Sequence, residues 1–352
     1  MPSITALTVA AATVAHPISQ ELVDSIRQFP NRQWEPVDSW LNPLHDLTSS
    51  EAVGLSGTIV EPKTTPPSVA SLNQAYEVSL LSFPREFDAR VEHAQCKHPI
   101  RNQLKCGSCW AFSVAETWSD NACILGLPNV TNKTVFSVED ILACASFGSG
   151  KCGKSYFLNS TNQLFFVLIH FHSTFLFLGG GRINYAFDYV VSDGLVTEEC
   201  MPYTSANGTV DSCPPEIGPN ERTCPVSDVK WKATLCEGQP NDLFSTELMK
   251  KGIMELGAVA AGYTVFQDFY NYKSGIYKHV TGKMLGGHAI KVVGWGVKNA
   301  TKTTNETNYW IVANSWGDEW GEEGYFRFDM SDTDCHFGAG GTYNCGKMSF
   351  TN

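Results

Sequence analysis

The sequence lacks three features that would assign a protein to a broad class at once. It has no cluster of lysine and arginine of the kind that binds nucleic acid, and its 36 acidic residues outnumber its 25 basic ones. It has no uninterrupted apolar stretch of about twenty residues, the length that a membrane-spanning helix needs. It also has no internal repeat. These absences argue against a nucleic-acid partner, a membrane span and a repeat architecture.

The chain does have a globular composition and many cysteines. Its 352 residues, 43% hydrophobic and 17% charged, suffice for one large or two ordinary domains. Twelve cysteines and six N-x-S/T sequons favour an oxidising, secretory compartment. Residues 1–15 are a short apolar run that ends in small residues, which is typical of a signal peptide.

Sequence patterns suggest where the elements lie. Ile18–Gln33 has helical spacing of apolar residues, whereas Leu47–Leu81 is rich in Ser, Thr and Pro and is typical of an extended or mobile linker. Further helices are predicted over Cys106–Leu127 and from Ser137. After Gly286, short β-branched and aromatic runs separated by Gly predict strands. This order predicts an α+β fold with two packed subdomains.

The stretch Asn102–Phe112, NQLKCGSCWAF, carries the strongest chemical signal. Cys109 opens a predicted helix, where unpaired backbone N–H groups and the helix dipole favour a thiolate. Such a nucleophile needs a base, and His288 in GGHAIKVVGWG supplies one. Asn314 in NYWIVANSWG can accept a hydrogen bond from the imidazole. Gln103 can donate its amide to a developing oxyanion, together with the backbone N–H of the cysteine.

These motifs together resemble those of the papain family of cysteine peptidases, and within it the cathepsin B branch. C-G-S-C-W is the signature around the family's nucleophile. The resemblance runs from about Phe83, where FPREFDAR is similar to the family's mature amino terminus, to Phe350. It implies a helical left subdomain and a β-barrel-like right subdomain, with the active-site cleft between them.

The resemblance also implies a function. The chain would be a cysteine endopeptidase made as a zymogen, with a prosegment and linker over 16–80 and a peptidase domain over 81–352. Its expected partners are protein or peptide substrates, its own prosegment and cystatin-type inhibitors. No metal or organic cofactor is expected, and the expected location is a lysosome or other acidic vacuole, or outside the cell. The alternative is a catalytically silent binding protein of the same fold.

The resemblance assigns four positions to substrate binding. Gly180 and Gly181 would line the cleft, and Trp316 would shield the base from water. Phe350 follows the Cys of CGKMSF by five residues, where cathepsin B carries a glutamate on the floor of a specificity pocket. An aromatic floor would favour Leu or Val over Arg in the substrate. The alternative is that Phe350 is a core or frayed residue near the chain end.

One region departs from the cathepsin B pattern. Ser212–Cys236 corresponds to that branch's occluding loop, in which two adjacent histidines bind the carboxylate at a substrate's end. This stretch contains no histidine. Endopeptidase rather than exopeptidase activity is therefore expected, with Arg222 as an alternative cation for the carboxylate.

The cysteines are expected to form a disulfide framework around the nucleophile. By resemblance, the pairs are Cys96–Cys123, Cys106–Cys152, Cys200–Cys236 and Cys213–Cys224. Cys144, Cys335 and Cys345 remain, so at least one thiol should be free. A zinc site at CGSC is the rival interpretation, but the sequence offers no second close Cys/His pair for it.

Residues 154–179, KSYFLNSTNQLFFVLIHFHSTFLFLG, interrupt the family pattern. The apolar core, 164–178, is too short for a membrane helix, and an exposed loop with so many Phe would promote aggregation. The codons of Gly153–Ser155 can contain GTAAGT, and those of Phe177–Gly179 can end a T-rich tract in TAG. We therefore expect a retained intron. Its removal would reduce the Cys109–His288 separation from 179 to 153 positions, close to the family's ~130–150.

Overall fold

The computed structural model describes residues 16–60, 81–145, 152, 180–213, 230–233, 246–301, 305–342 and 348–351. The expectations for residues 1–15 and 154–179, and for Arg222, therefore concern residues outside this set. Among the described residues, helices come mainly from the first half of the peptidase region and strands mainly from the second. This is the α+β arrangement that the sequence predicts.

The described helices form in chain order, and several begin at a side-chain cap. Ser137 accepts a hydrogen bond from the Asp140 N–H, as its predicted cap position requires. Ser19 caps the first helix in the same way. The helices are α1 (Gln20–Gln28), α2 (Ser49–Gly54), α3 (Ala89–Glu92), α4 (Cys109–Ile124), α5 (Val138–Cys144), α6 (Ile183–Ser192) and α7 (Thr246–Leu256).

The strands build one large sheet and one two-stranded ribbon. They are β1 (Trp34–Pro36), β2 (Phe87–Asp88), β3 (Lys230–Ala233), β4 (Val259–Phe266), β5 (Tyr272–Tyr277), β6 (Met284–Lys298), β7 (Thr307–Ala313), β8 (Tyr325–Asp329), β9 (Ala339–Thr342) and β10 (Met348–Thr351). The sheet has the order β1-β5-β8-β7-β6-β4-β9, β2 also pairs with β6, and β3 pairs with β10. Within the described residues the sheet is open, because its two edge strands, β1 and β9, do not pair with each other. The strand-rich, barrel-like subdomain is therefore an open sheet in this part of the chain rather than a closed barrel.

Helix α4 lies between two hydrophobic cores. All residues from Cys109 to Ala122 are buried, so the helix has no solvent-facing side along most of its length. Its Trp110 and Phe112 belong to a helical core with α5 and α6, and the sheet holds a second core that is rich in aromatic rings. A helix that is surrounded by protein is held from all sides. This packing places the cysteine at its first residue next to the sheet.

Part of the predicted linker forms a helix, so the prediction of an extended or mobile segment is wrong over Ser49–Gly54. Thr48 and Glu51 form a capping box that starts α2. Ala52, Val53 and Leu55 are buried beyond it. The segment forms a helix because this local cap is supported by apolar contacts with the rest of the protein, which composition alone does not reveal.

The amino-terminal segment, residues 16–60, extends the large sheet through β1. Trp34 lies opposite Gly275 of β5, is buried between Tyr272 and Tyr277, and donates its indole N–H to the carbonyl of Lys278 at 2.9 Å. Gly275 has φ +102°, and a Cβ there would lie 2.6 Å from the Trp34 Cα. The close approach of the two strands therefore requires glycine at this position.

We expect Trp34→Ala to destabilise the full-length chain by about 3–5 kcal/mol, because it empties a large buried site and orphans the Lys278 carbonyl. Chemical denaturation measures the change. Trp40→Ala is the matched control, since Trp40 lies in the same segment and is 63% exposed. Equal losses from both variants would contradict a role for the Trp34 site in holding the segment.

Candidate active site

Cys109 is the first residue of α4, at the end where the backbone N–H groups point outward. Ser108 precedes it and makes no side-chain cap bond within the described residues, so the positive end of the helix dipole is not offset by a cap. The loop before it is anchored by the Cys106–Cys152 disulfide and by a bond from the Gly107 N–H to the Cys152 carbonyl at 2.9 Å. This anchoring holds the thiol at the helix terminus.

His288 and Asn314 form a buried pair beside this terminus. His288 lies on β6, Asn314 directly follows β7, and Nε2 of the imidazole is 2.7 Å from Oδ1 of the amide. The same Oδ1 accepts from the backbone N–H of Ser315, so it acts as the acceptor and Nε2 carries the proton. Nδ1 makes no hydrogen bond of good geometry among the described residues, although the Leu55 backbone is close enough to raise the pKa of the ring. That nitrogen is therefore the one left to act as a base.

The side chain of Gln103 is oriented by a serine that the sequence analysis missed. Ser315 donates its hydroxyl to Oε1 of Gln103 at 2.7 Å, and its carbonyl accepts from the Gln103 backbone N–H at 2.8 Å. These contacts turn Nε2 of Gln103 towards the cleft, where it donates to the carbonyl of Leu55 at 3.0 Å and to that of Cys106 at 2.7 Å. The position of Ser315 directly after Asn314 was the only signal available in the sequence.

Residues 55–60 of the amino-terminal segment occupy the cleft. Thr58 donates its backbone N–H to Gly287 on one wall, and Ile59 donates to Gly181 on the other, both at 3.0 Å. The hydroxyl of Thr58 lies 3.0 Å from Sγ of Cys109. The segment thus bridges both walls and contacts the sulfur directly.

The two glycines predicted to line the cleft lie where the segment runs. Gly180 has φ +123°, and a Cβ on it would lie 1.9 Å from the carbonyl oxygen of Gly57. A Cβ on Gly181 would lie 2.2 Å from the ring of Trp110. Any larger residue would displace either the chain in the cleft or the α4 tryptophan.

Burial keeps the thiol and the imidazole neutral in this arrangement. It raises the pKa of the Cys109 thiol, which the hydroxyl of Thr58 opposes only in part. Burial also lowers the pKa of His288 to about 4, against the opposing effect of the Asn314 hydrogen bond. The thiolate–imidazolium pair needed for nucleophilic attack is therefore disfavoured while the cleft is filled.

The other two residues predicted to bind substrate, Trp316 and Phe350, lie in two separate parts of the structure. Trp316 is buried, with its ring centroid 4.8 Å from that of His288 and 4.9 Å from that of Tyr270. It covers the imidazole, in agreement with the expected shielding. Phe350 lies on β10 opposite Trp231 of β3, and the structure describes its backbone alone.

Two disulfides match the pairs that the resemblance implies, Cys96–Cys123 and Cys106–Cys152. Cys213 is bonded to Cys144 instead of Cys224, so that predicted pair is wrong. The two Cα atoms lie 4.7 Å apart, which is within disulfide range, because the chain after α6 returns to the end of α5.

The remaining cysteines are accounted for in part. Cys200 is disulfide-bonded, and its expected partner Cys236 lies outside the described residues, as do Cys224 and Cys345. Cys109 and Cys335 are free and buried. The expectation of at least one free thiol besides the nucleophile therefore agrees with Cys335.

Comparison with known proteins places this geometry in a family. The model of the papain family cysteine proteases matches residues 83–165 and 178–345. The chain belongs to the papain family of cysteine proteases. The match leaves 166–177 unaligned, which falls inside the segment that the sequence analysis interprets as an insertion.

Individual papain-family relatives point to the cathepsin B branch. The chain is 35% identical over 268 residues to cathepsin B-like cysteine proteinase 3 of Caenorhabditis elegans, which covers 72% of this chain and 63% of the relative, a little under two thirds. It is 29% identical over 340 residues to the cathepsin B-like cysteine proteinase of Schistosoma japonicum, and this match covers 91% of this chain and 88% of the relative. The solved structure of proCathepsin B S9 from Trypanosoma congolense matches with a TM-score of 0.70 at 25% identity, covering 95% of this chain and all of that one.

These likenesses support a papain-family cysteine peptidase made as a zymogen. Four residues expected from the sequence, Gln103, Cys109, His288 and Asn314, meet around one cleft. In the part of the chain that the structure describes, no helix is both long and apolar enough to cross a bilayer.

We expect Cys109→Ala to abolish peptide hydrolysis and Gln103→Ala to lower kcat by roughly 10²–10³ through loss of an oxyanion donor. Asn314→Ala should reduce kcat less than Cys109→Ala does, because Asn314 only orients the base. Steady-state kinetics on the processed enzyme measures these effects.

Labelling by an epoxide inhibitor should be lost in Cys109→Ala and kept in Cys335→Ala, the control for the other free thiol. Substantial hydrolysis by Cys109→Ala would contradict the assignment of the nucleophile.

Proposed function

We propose that the protein is a cysteine endopeptidase whose residues 16–60 form an inhibitory prosegment. The observation that carries the proposal is that residues 55–58 contact two of the proposed catalytic side chains at once. The hydroxyl of Thr58 lies on Sγ of Cys109, and the carbonyl of Leu55 accepts from the Gln103 amide. Any substrate carbonyl needs that same amide, so the prosegment and the substrate exclude each other.

The reaction follows from the groups that the prosegment covers. Once the cleft is open, the thiolate of Cys109 attacks the carbonyl carbon of the scissile peptide, and the oxyanion accepts from Nε2 of Gln103 and from the cysteine N–H. Nδ1 of His288 then gives its proton to the leaving amine, which departs as the C–N bond breaks and leaves a thioester on Cys109. The same imidazole takes a proton from water as the water attacks the thioester, which releases the acid and restores the thiol. Asn314 keeps the ring oriented throughout.

No observation favours a catalytically silent binding protein of this fold. The expected compartments, an acidic vacuole such as a lysosome or the cell exterior, are supported by the disulfides. Inhibitors of the cystatin type would compete for the same cleft. The retained-intron interpretation of 154–179 is supported by the unaligned residues 166–177 alone, since the family match includes 154–165 and 178–179.

The depressed pKa of His288 links closure of the cleft to pH. A histidine with a pKa of about 4 in the closed form and an ordinary value of 6.5 in the open form binds its proton more readily when the cleft opens. Its contribution to closure is therefore fully present above pH 6.5, declines below it, and is lost by about pH 4. The full contribution of His288 to the free energy of closure is on the order of 3 kcal/mol. Acid therefore favours release of the prosegment.

We expect the prosegment to open more often as the pH falls from 6.5 to 4. The backbone amides of Thr58 and Ile59 report opening, because they donate to the two walls of the cleft. Hydrogen exchange of these amides, corrected for the intrinsic pH dependence, should lose protection in this range in the inactive Cys109→Ala chain. Addition of His288→Gln to this chain should remove most of the pH dependence. Unchanged protection between pH 6.5 and pH 4 would contradict the linkage.

We also expect endopeptidase cleavage with Leu preferred over Arg at the second residue before the scissile bond. A buried Arg facing the aromatic Phe350 would lack a carboxylate and lose several kcal/mol if fully desolvated. Cleavage rates for internally quenched peptides with blocked ends, differing only at that residue, measure the preference. Phe350→Glu should shift the ratio towards Arg. A higher rate for the Arg peptide, unchanged in Phe350→Glu, would remove Phe350 from the pocket floor.

A further inference from the structure

A buried ion pair joins the helix of the nucleophile to the strand of the base. Asp120 lies on α4, eleven residues after Cys109, and Lys291 lies on β6, three residues after His288. Nζ of Lys291 is 2.7 Å from Oδ2 of Asp120, and both residues are at least nine-tenths buried. The proposed mechanism uses neither residue.

A histidine and a second carboxylate complete the cluster. Nδ1 of His98 is 2.7 Å from the other oxygen of Asp120, and the histidine is buried. Glu116 lies one turn earlier on α4, and burial raises its pKa against the opposing charge of Lys291. Glu116 therefore holds its proton more tightly than an ordinary carboxyl, which leaves Asp120 as the main countercharge for Lys291.

The other charged groups around the cluster have partners elsewhere. Arg90 forms an ion pair with Asp88, and Arg101 forms one with Glu198, both at 2.7 Å. Within the described residues, Asp120 supplies the carboxylate that lies within ion-pair distance of Lys291. Among the described residues, Lys291 and Asp120 thus form the ion pair that joins α4 to β6, in addition to the apolar packing between the two elements.

A buried ion pair is a poor source of stability, because desolvation of both groups offsets their attraction. Apolar residues of similar volume would hold α4 against β6 equally well. What the pair adds is a preference for one arrangement of helix and strand, since a helix shift that separates the two groups beyond 2.7 Å would leave both charges buried and unpaired.

The register matters because the contacts between β6 and α4 include both the sulfur of Cys109 and the ion pair. Ala289 and Lys291 are two residues apart and so lie on the same face of the strand. The backbone of Ala289 lies against Sγ of Cys109, and the Lys291 side chain reaches Asp120. A shift of the helix that breaks the ion pair would therefore also move the sulfur relative to His288.

We propose that Asp120 and Lys291 are positioning residues that set the approach of the Cys109 sulfur to the His288 imidazole. The inference rests on the proposed function, because it assumes that these two groups react. It assigns the pair to the geometry of attack rather than to substrate binding. If the pair were purely structural, its removal would change the stability of the protein and leave the reactivity of Cys109 unaltered.

The test compares processed wild-type enzyme with Lys291→Met, with Lys291→Met/Asp120→Asn and with Asn121→Ala. Asn121 is the matched control, since it is the next residue on α4, is buried, and donates to the carbonyls of Leu256 and Ala258 rather than to β6. The double variant leaves no unpaired charge and keeps an acceptor for His98. Tm, kcat, KM and the pH dependence of Cys109 alkylation by iodoacetamide are measured for each enzyme. The kinetic and alkylation measurements are made at a temperature well below the lowest Tm.

Lys291→Met should lower kcat about tenfold, which corresponds to about 1.4 kcal/mol, with little change in KM. The acid limb of its alkylation profile should move to higher pH, because a displaced imidazolium stabilises the thiolate less. The double variant should regain Tm relative to Lys291→Met but keep both kinetic changes. Asn121→Ala should lose Tm and keep the wild-type kcat and profile.

Two results would overturn the proposal. One is a Lys291→Met enzyme with the wild-type kcat and alkylation profile. The other is a double variant that regains kcat and profile together with Tm, which would make the pair a matter of stability alone. Failure of the proposed function gives a different result, because wild-type enzyme itself would then neither hydrolyse peptides nor react at Cys109.

Discussion

The packing of α4 between two hydrophobic cores is the constraint on which the rest of the structure depends. Nearly every side chain of this helix is buried, so a large roll or slide of the helix would disturb the helical core and the contacts with β6. Its first residue is therefore held at a fixed point beside β6. The cleft forms along this boundary, because the thiol belongs to the helical side and the imidazole to the sheet side.

The same burial determines the chemistry of the closed form. An empty cleft would let water solvate the thiolate and the imidazolium, whereas the chain in the cleft removes that solvation and favours the neutral forms. Inhibition thus has two parts: residues 55–60 take the place of substrate, and desolvation suppresses the charged pair. Both parts end together when the segment leaves.

The residues that we propose as catalytic could be predicted because each one stands in an extended motif. NQLKCGSCWAF, GGHAIKVVGWG and NYWIVANSWG combine local backbone requirements with chemistry, and the structure brings Gln103, Cys109, His288 and Asn314 from these motifs to one cleft. The cap at Ser137 was predictable for the same reason, since it depends on residues three apart.

Features that depend on distant contacts could not be predicted. Residues 47–60 have a linker's composition, and their order comes from partners such as Tyr270, which bonds to Ala52 and Ser56 more than two hundred residues earlier. The Cys144–Cys213 bond depends on where two chain segments meet in space. The sequence analysis assigned strands only after Gly286 and missed β4, because periodicity alone does not distinguish a short apolar run such as Val259–Phe266 from a buried helix segment.

The β1–β5 pairing has a consequence for the processed enzyme. While the prosegment is attached, the N–H of Ile276 donates to the carbonyl of Gln33, and Trp34 fills the space between two tyrosines. Loss of residues 16–60 strips β5 of this neighbour and leaves backbone donors and acceptors beside uncovered aromatic rings. Such a strand is a template for self-association. On the proposed function, processing would therefore uncover an edge strand that the intact chain keeps paired.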